Sequence, residues 1–312
     1  LAKKVPLRFR PDGTLLIAQF TDLHLSDGRP ADQQTLDLMA AVLDAEKPDV
    51  AVLTGDIIAG VGNPTEDSAA AWKLAVEPLE SRGIPWAAAY GNHDEEGSLG
   101  RAELMDVQRG FPHCLTQPGP AELPGMGNYV LEALASRSDS PAARFFFVDT
   151  LTKGHPFVGG YPWVHLEQIL WYRRMASEKP ELPGLAFMHI PLPEYDEVWR
   201  TRPCRGNKFE DVCCPKLNSG LFTAMLESGA VQGVFAGHDH INDYDGDLHG
   251  IRLVYGRAGG FNTYGKERFA RGARLIRLTE GKKGFETWLR LEKGIKIEEQ
   301  DLHQPEFPAK KD

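Results

Sequence analysis

Cysteine is scarce in this chain, basic charge is in deficit, and no apolar run is long. The 312 residues include 4 cysteines, too few for a disulfide scaffold. Cys204, Cys213 and Cys214 nevertheless share one polar, Pro/Gly-bearing stretch. That clustering suits a local bridge from Cys204 to Cys213 or Cys214 in an oxidising compartment, and free thiols in a reducing one. Lys plus Arg (35) falls short of Asp plus Glu (44), a formal net charge of −9. The basic footprint that a nucleic-acid polymer requires is missing, so no such partner is expected. No stretch approaches the roughly 20 apolar residues that cross a bilayer, and no membrane span is expected. The opening LAKKVPLRFR has no apolar signal core. A leader removed earlier is compatible with it, and a periplasmic or extracellular location is the expectation, with the cytoplasm as alternative.

Five short apolar runs end abruptly in polar residues of one chemical kind. They are LLIAQF before Thr21, VAVLT before Gly55, IPWAAAY before Gly91, LAFM before His189 and VQGVFA before Gly237. Each has strand length without strict alternation, as strands buried on both faces do. Helical patterns fall at Asp32 to Glu46, Ser68 to Arg82, Leu166 to Ser177 and Ser219 to Ser228, so the early chain alternates β and α. RFFFVDT, IRLVYGRA, RLIRLTE and FETWLRLE add strands, the last two joined by a hairpin at Gly281 to Gly284. A parallel βαβ opening followed by strand-rich sequence fits an α/β fold of two packed sheets covered by helices. Gln117 to Asn128 and Pro193 to Lys216 read as loops. One domain is expected over 1–300, with a polar tail over 301–312.

Beyond the ends of those five runs stand Asp22 and His24, Asp56, the Gly91-Asn92-His93-Asp94 segment, His189, and His238 with His240. In α/β sheets functional groups collect past the carboxyl ends of strands, so five such ends can converge on one site. The i, i+2 spacing of Asp22/His24 and of His238/His240 turns both members of each pair to one side of an extended chain, with Leu23 and Asp239 pointing away. Singly each motif is a turn, a cap or a core histidine. Together, carboxylate, imidazole and amide donors without thiolate suit Fe, Mn or Zn.

The order DLH, GD, GNHD, lone His and GHDH, covering Asp22 to His240, resembles the calcineurin-like metallophosphoesterase superfamily. GNHDEEGS, GYPWVHLEQILWY, CCPKLNSGLFT, GHDHINDY and AGGFNTYGK are similar to its purple acid phosphatase-like branch. The resemblance implies a four-layer α/β/β/α sandwich of two mixed β-sheets flanked by helices. It also implies two divalent or trivalent transition-metal ions, one on Asp22, His24, Asp56 and His240, the other on Asp56, Asn92, His189 and His238. Asp56 then bridges, supplying the shared negative charge that two cations roughly 3.5 to 4 Å apart require.

The implied reaction is direct hydrolysis of a small phosphorylated substrate by hydroxide held on the metals. His93 assists the leaving group, and Asp94 either orients His93 or caps the loop. Phosphomonoesters are the first expectation and small phosphodiesters the alternative; a non-catalytic interaction scaffold of the same fold is a third reading. Ala59 stands where purple acid phosphatases carry an iron-ligating Tyr, so a purple iron site is not expected. GNHD where those enzymes usually have GNHE weakens the monoester assignment. Ile57-Ile58-Ala59 and Tyr90 replace the phosphate-binding Arg pattern of protein Ser/Thr phosphatases. Substrate-side candidates are Arg257 and Tyr264 first, then His155, His165 and Asn242, each with a structural alternative.

Overall fold

The architecture follows from strands whose alternate residues are buried on opposite sides. In this computed structural model, which describes residues 6–58 and 65–307, β1 (Thr14–Phe20), β2 (Val50–Thr54) and β3 (Trp86–Ala89) run parallel. They are linked by α1 (Pro30–Glu46) and α2 (Ser68–Glu80), and α3 (Arg101–Arg109) follows β3. A second set comprises β4 (Tyr129–Leu134), β5 (Pro141–Phe147), α4 (Leu166–Glu178), β6 (Gly184–Phe187), α5 (Glu194–Thr201), β7 (Cys204–Arg205), α6 (Leu221–Ser228), β8 (Val231–Ala236), β9 (Asp245–Leu248) and β10 (Ile251–Tyr255). The chain then returns to the first sheet with β11 (Gly272–Thr279), β12 (Glu286–Leu291) and β13 (Lys296–Ile297), and ends on β14 (Leu302–His303). The sheet orders are β13-β12-β11-β1-β2-β3 and β14-β7-β9-β10-β8-β6-β5-β4, both mixed.

Three apolar clusters separate the layers. Leu16, Ala18 and Phe20 of β1, with Ala51 and Leu53 of β2, pack beneath α1, α2 and α3. Their neighbours Leu15, Ile17, Val50 and Val52 point the other way and meet Phe145, Phe147, Phe187 and Phe235 of the second sheet. Phe146, Ala186, Val234 and Leu253 face α4, α5 and α6. A period of two with both faces buried therefore yields the four-layer α/β/β/α sandwich.

The expected helices and the β11–β12 hairpin are present with small boundary shifts. α6 starts at Leu221 because Gly220 sits at φ +86°, outside helical space. Three expectations are corrected. The Pro193 to Lys216 stretch holds α5 and β7 as well as loop. The segment after residue 300 is not free at its start: Leu302 and His303 pair with Arg205 and Cys204, and the His303 ring stacks on Trp199 at 3.7 Å between centroids. Residues 308–312 lie outside the described part. Of the two states open to the cysteine cluster, the bridge from Cys204 to Cys213 or Cys214 is not made. Cys204 is buried, and its thiol approaches the carbonyl of Val198 at 3.5 Å.

Candidate metal centre

β1, β2, β3, β6 and β8 all terminate at one edge of the sandwich, and tight turns there bring the polar motifs together. Asp22, His24, Asp56 and His238 have φ of 54°, 48°, 50° and 77°, so each sits in the left-handed region that non-glycine residues rarely adopt. The shared orientation within the Asp22/His24 and His238/His240 pairs thus comes from turned backbone rather than extended chain. Such strain persists only where surroundings over-determine it, and it gathers at functional sites. Neighbouring glycines are required by contact: a Cβ on Gly91 would lie 2.1 Å from the Asp56 carboxylate, and one on Gly237 would lie 1.9 Å from the Thr21 hydroxyl.

Two groups of ligand-type atoms result. Asp22, His24, Asp56 and His240 form one; Asp56, His189 and His238 form the other, with the atoms of each group within 4.8 Å of one another and every residue buried. Asp56 belongs to both. Its Oδ2 lies 3.1 Å from His189 Nε2 and 3.8 Å from His24 Nε2. His240 Nε2 lies 3.4 Å from Asp22 Oδ1 and 3.3 Å from His24 Nε2. Asn92 is buried beside them. Asn92 Oδ1 has no hydrogen-bond partner despite burial, Asp56 Oδ2 has only the approach of His189 Nε2 within hydrogen-bond distance, and His238 turns its Nδ1 toward His189 Nε2 at 3.2 Å, so two imidazole nitrogens face each other. Buried polar atoms are normally paired, so an orphaned electron-pair donor beside facing ring nitrogens fits a cation.

The remaining contacts orient these donors. Asp22 accepts the amide of His238 at 3.1 Å and the hydroxyl of Thr21 at 2.8 Å. Asp56 Oδ1 accepts the amide of His93 at 2.9 Å. His189 Nδ1 meets the carbonyl of Thr54 at 2.8 Å, and His240 Nδ1 meets the hydroxyl of Thr263 at 2.8 Å, which leaves each Nε2 toward the cluster. Burial lowers His24 to about 4 and His238 to about 3, the latter helped by the charge of His189. Both rings are then neutral, with lone pairs available at neutral pH. Burial opposes ionisation of Asp22, yet the hydrogen bond and charge of His240 carry it down to about 2. Burial likewise opposes a proton on His189, but Asp56 raises it to about 9, and a cation taken up here displaces that proton.

His93 lies beside the cluster, its ring centroid 5.7 Å from that of His24. Its Nδ1 is 2.6 Å from Glu96 Oε2. Burial disfavours the charged ring, but Asp56 and the bond to Glu96 outweigh it and raise His93 above its ordinary value. Asp94 does not perform the orienting role. Its carboxylate accepts the amides of Asp56, Ile57, Ile58 and Gly91, which ties the turn after β2 to the turn after β3. It is a loop cap, and Glu96 takes the place expected of it.

The substrate-side candidates separate sharply. Arg257 is buried, ion-paired with Asp243, bonded to the carbonyl of Ala270 at 2.7 Å and seated over the Phe269 ring at 3.2 Å, so it braces a loop instead of facing a substrate. Asn242 is buried and accepts the amides of Phe209 and Glu210. His165 caps α4, its amide bonded to Gln168 Oε1 at 2.9 Å. His155 is exposed and contacts Phe157 and Trp163, not the ligand groups. Tyr264 does reach the site, stacked on His240 at 4.2 Å. Ala59 lies outside the described residues. A cavity of about 820 Å³ opens between Pro183, Val231 and Lys282 at the other ends of the strands and is lined by none of these groups.

Residues that motif reading passed over are Glu96, Thr54, Thr263 and Tyr161. The Tyr161 ring meets His238 edge-on at 4.4 Å. Arg101 was also missed. Buried, it pairs with Asp149 and Glu95 and donates to the carbonyl of Gly91 at 2.9 Å and to Thr152 at 2.8 Å.

A family profile described as calcineurin-like phosphoesterase matches residues 15–242. The Arabidopsis thaliana protein named "Probable inactive purple acid phosphatase 14" is 32% identical over 90% of this chain and 79% of its own length. "Phosphatase DCR2" of Saccharomyces cerevisiae is 33% identical over 90% of this chain, which spans 54% of that longer protein. Among solved structures, a dimetal phosphatase from Danio rerio superposes with a TM-score of 0.56 at 15% identity, covering 88% of this chain and 98% of its own.

Proposed function

The chain belongs to the calcineurin-like phosphoesterase family, and from that membership we propose that it hydrolyses small phosphate monoesters with two transition-metal ions. Asp22, His24, Asp56 and His240 would hold one ion, and Asp56, Asn92, His189 and His238 the other, drawn from Fe, Mn or Zn. When bound, such a pair supplies Lewis acidity and a water acidic enough to attack phosphorus near neutral pH. The observation that carries this reading is the pair of buried ligand groups, Asp22, His24, Asp56 and His240 in one and Asp56, His189 and His238 in the other, the atoms of each within 4.8 Å of one another and the two sharing Asp56.

The protein's own groups supply the rest. Glu96 accepts from His93 Nδ1, fixing the tautomer and leaving Nε2 to carry the proton delivered to the departing oxygen. Asp94 and Arg101 hold the loop on which Asn92 and His93 stand. Monoesters are favoured over diesters by the relatives named as phosphatases. A second reading, a non-catalytic scaffold, is favoured by the word "inactive" in the names of three Arabidopsis thaliana relatives. Against it, this chain keeps the complete set of carboxylate, imidazole and amide donors.

The test compares p-nitrophenyl phosphate with bis-p-nitrophenyl phosphate, with and without chelator. Chelator-sensitive turnover that is faster on the monoester supports the proposal. Faster turnover on the diester reverses the ester class. A metal-loaded protein inactive on both leaves the scaffold.

A further inference from the structure

The two histidines of the Gly237 to His240 turn are each covered by a tyrosine from a different loop. Tyr264 lies face to face with His240 at 4.2 Å and 21°, and its side chain is half-exposed. Tyr161 meets His238 edge-on at 4.4 Å and 89°, and it is partly exposed. The Tyr264 hydroxyl is tied back into the protein, donating to Glu210 Oε2 at 2.8 Å. Tyr161 is held through its backbone by a bridge to Pro215. Each presents ring surface beside a histidine of the site.

Their supports are specific. Gly159 and Gly160, at φ +66° and +73°, turn the chain just before Tyr161, and the Lys216 side chain packs against Gly160 while its ammonium bonds the carbonyl of Val158 at 3.1 Å. On the other side Arg271 donates to the carbonyls of Thr263 and Tyr264 at 2.9 and 2.7 Å. Lys216 and Arg271 are thus spent on backbone, and Lys266 lies over the Phe209 ring at 4.9 Å. The carboxylates next to the site, Glu96 on His93 and Glu210 under Tyr264, add negative charge there. Two exposed ring surfaces at the mouth favour a flat apolar leaving group.

We propose that Tyr161 and Tyr264 form the two walls against which the leaving alcohol rests, so that the preferred substrates are phosphate monoesters of uncharged aromatic alcohols. The inference rests on the phosphate-ester reading above and adds the substrate class to it. Tyr161 is a specificity residue that motif reading did not mark, and Arg257 is replaced in that role.

The test measures binding and turnover separately on the 312-residue chain loaded with Mn²⁺. Calorimetry compares naphthylmethylphosphonate with butylphosphonate. Turnover compares naphthylmethyl phosphate, butyl phosphate and ATP; the first two release alcohols of similar acidity, so leaving-group chemistry does not set their ratio. The naphthyl ligand is expected to bind about tenfold more tightly than the butyl one. Tyr161→Ala and Tyr264→Ala should each lower that ratio about threefold to tenfold, while Tyr161→Phe and Tyr264→Phe keep it. Equal binding of the two phosphonates, a ratio unmoved by the alanine variants, or faster turnover of ATP than of the naphthyl ester overturns the inference. Turnover without the preference contradicts this inference alone. Preference in binding without any turnover upholds the tyrosine walls and contradicts the hydrolase reading on which the substrate class rests.

Discussion

His93 illustrates how a single residue takes its function from its contacts. Its position next to Asn92 is legible in the GNHD motif, but its partner is not. Asp94 adjoins it in sequence, yet that carboxylate is consumed by four backbone amides. Glu96, three residues on, reaches Nδ1 because the chain turns there. His93→Ala should keep its metals by elemental analysis and lose about 10²- to 10⁴-fold in turnover. Glu96→Gln should lower kcat by on the order of 10²-fold with KM little changed, since it loosens His93 without touching substrate. Equal losses in kcat and affinity would refute the positioning role. Thr263 acts on the metal side. Removing its hydroxyl from His240 Nδ1 in Thr263→Val should weaken metal binding about 10- to 100-fold in chelator titrations, and unchanged affinity would show the contact idle. Arg257 was misjudged at this scale because charge type is visible in a sequence and burial is not.

At the scale of elements, the five functional strands were readable because both faces of each are buried, which leaves uninterrupted apolar runs with abrupt ends. β4 escaped for the opposite reason: YVLEAL alternates buried and half-buried residues at a sheet edge and makes no such run. α5 carries acidic residues in its first turn and Arg200 in its last, but its eight residues sit in a Pro/Gly-rich stretch that reads as loop. α3 matters more, because it presents Arg101 to the loop bearing Asn92 and to Asp149 just after β5. That residue joins the end of one sheet to the end of the other. Arg101→Ala leaves the Asp149 carboxylate buried without its cation and should cost about 3–5 kcal/mol in denaturant unfolding. A loss below 1 kcal/mol would show that the pair does not hold the site together.

On the scale of the whole molecule, two sheets must lie close for β1, β2 and β3 of one and β6 and β8 of the other to end at one place. The contact is made by an aromatic layer of the second sheet, where Phe147 stacks on its cross-strand neighbours Tyr129 at 4.4 Å and Phe187 at 5.4 Å and packs with Leu15, Ile17, Val50 and Val52 of the first. Phe147→Ala should cost about 3–5 kcal/mol, and it should lower metal affinity as well, because the ligands come from both sides of that layer. The layered fold was legible in the strand and helix pattern; the docking of the last strand on β7 was not, since two residues, Leu302 and His303, make no periodic signal. The central claim is that one carboxylate, Asp56, serves two cations. Elemental analysis of the purified, reconstituted chain beside its Asp56→Ala variant tests it most directly. The account predicts close to two transition-metal ions per chain in the first and depletion of both in the second. One ion or none in the parent chain, or two retained without Asp56, would contradict it.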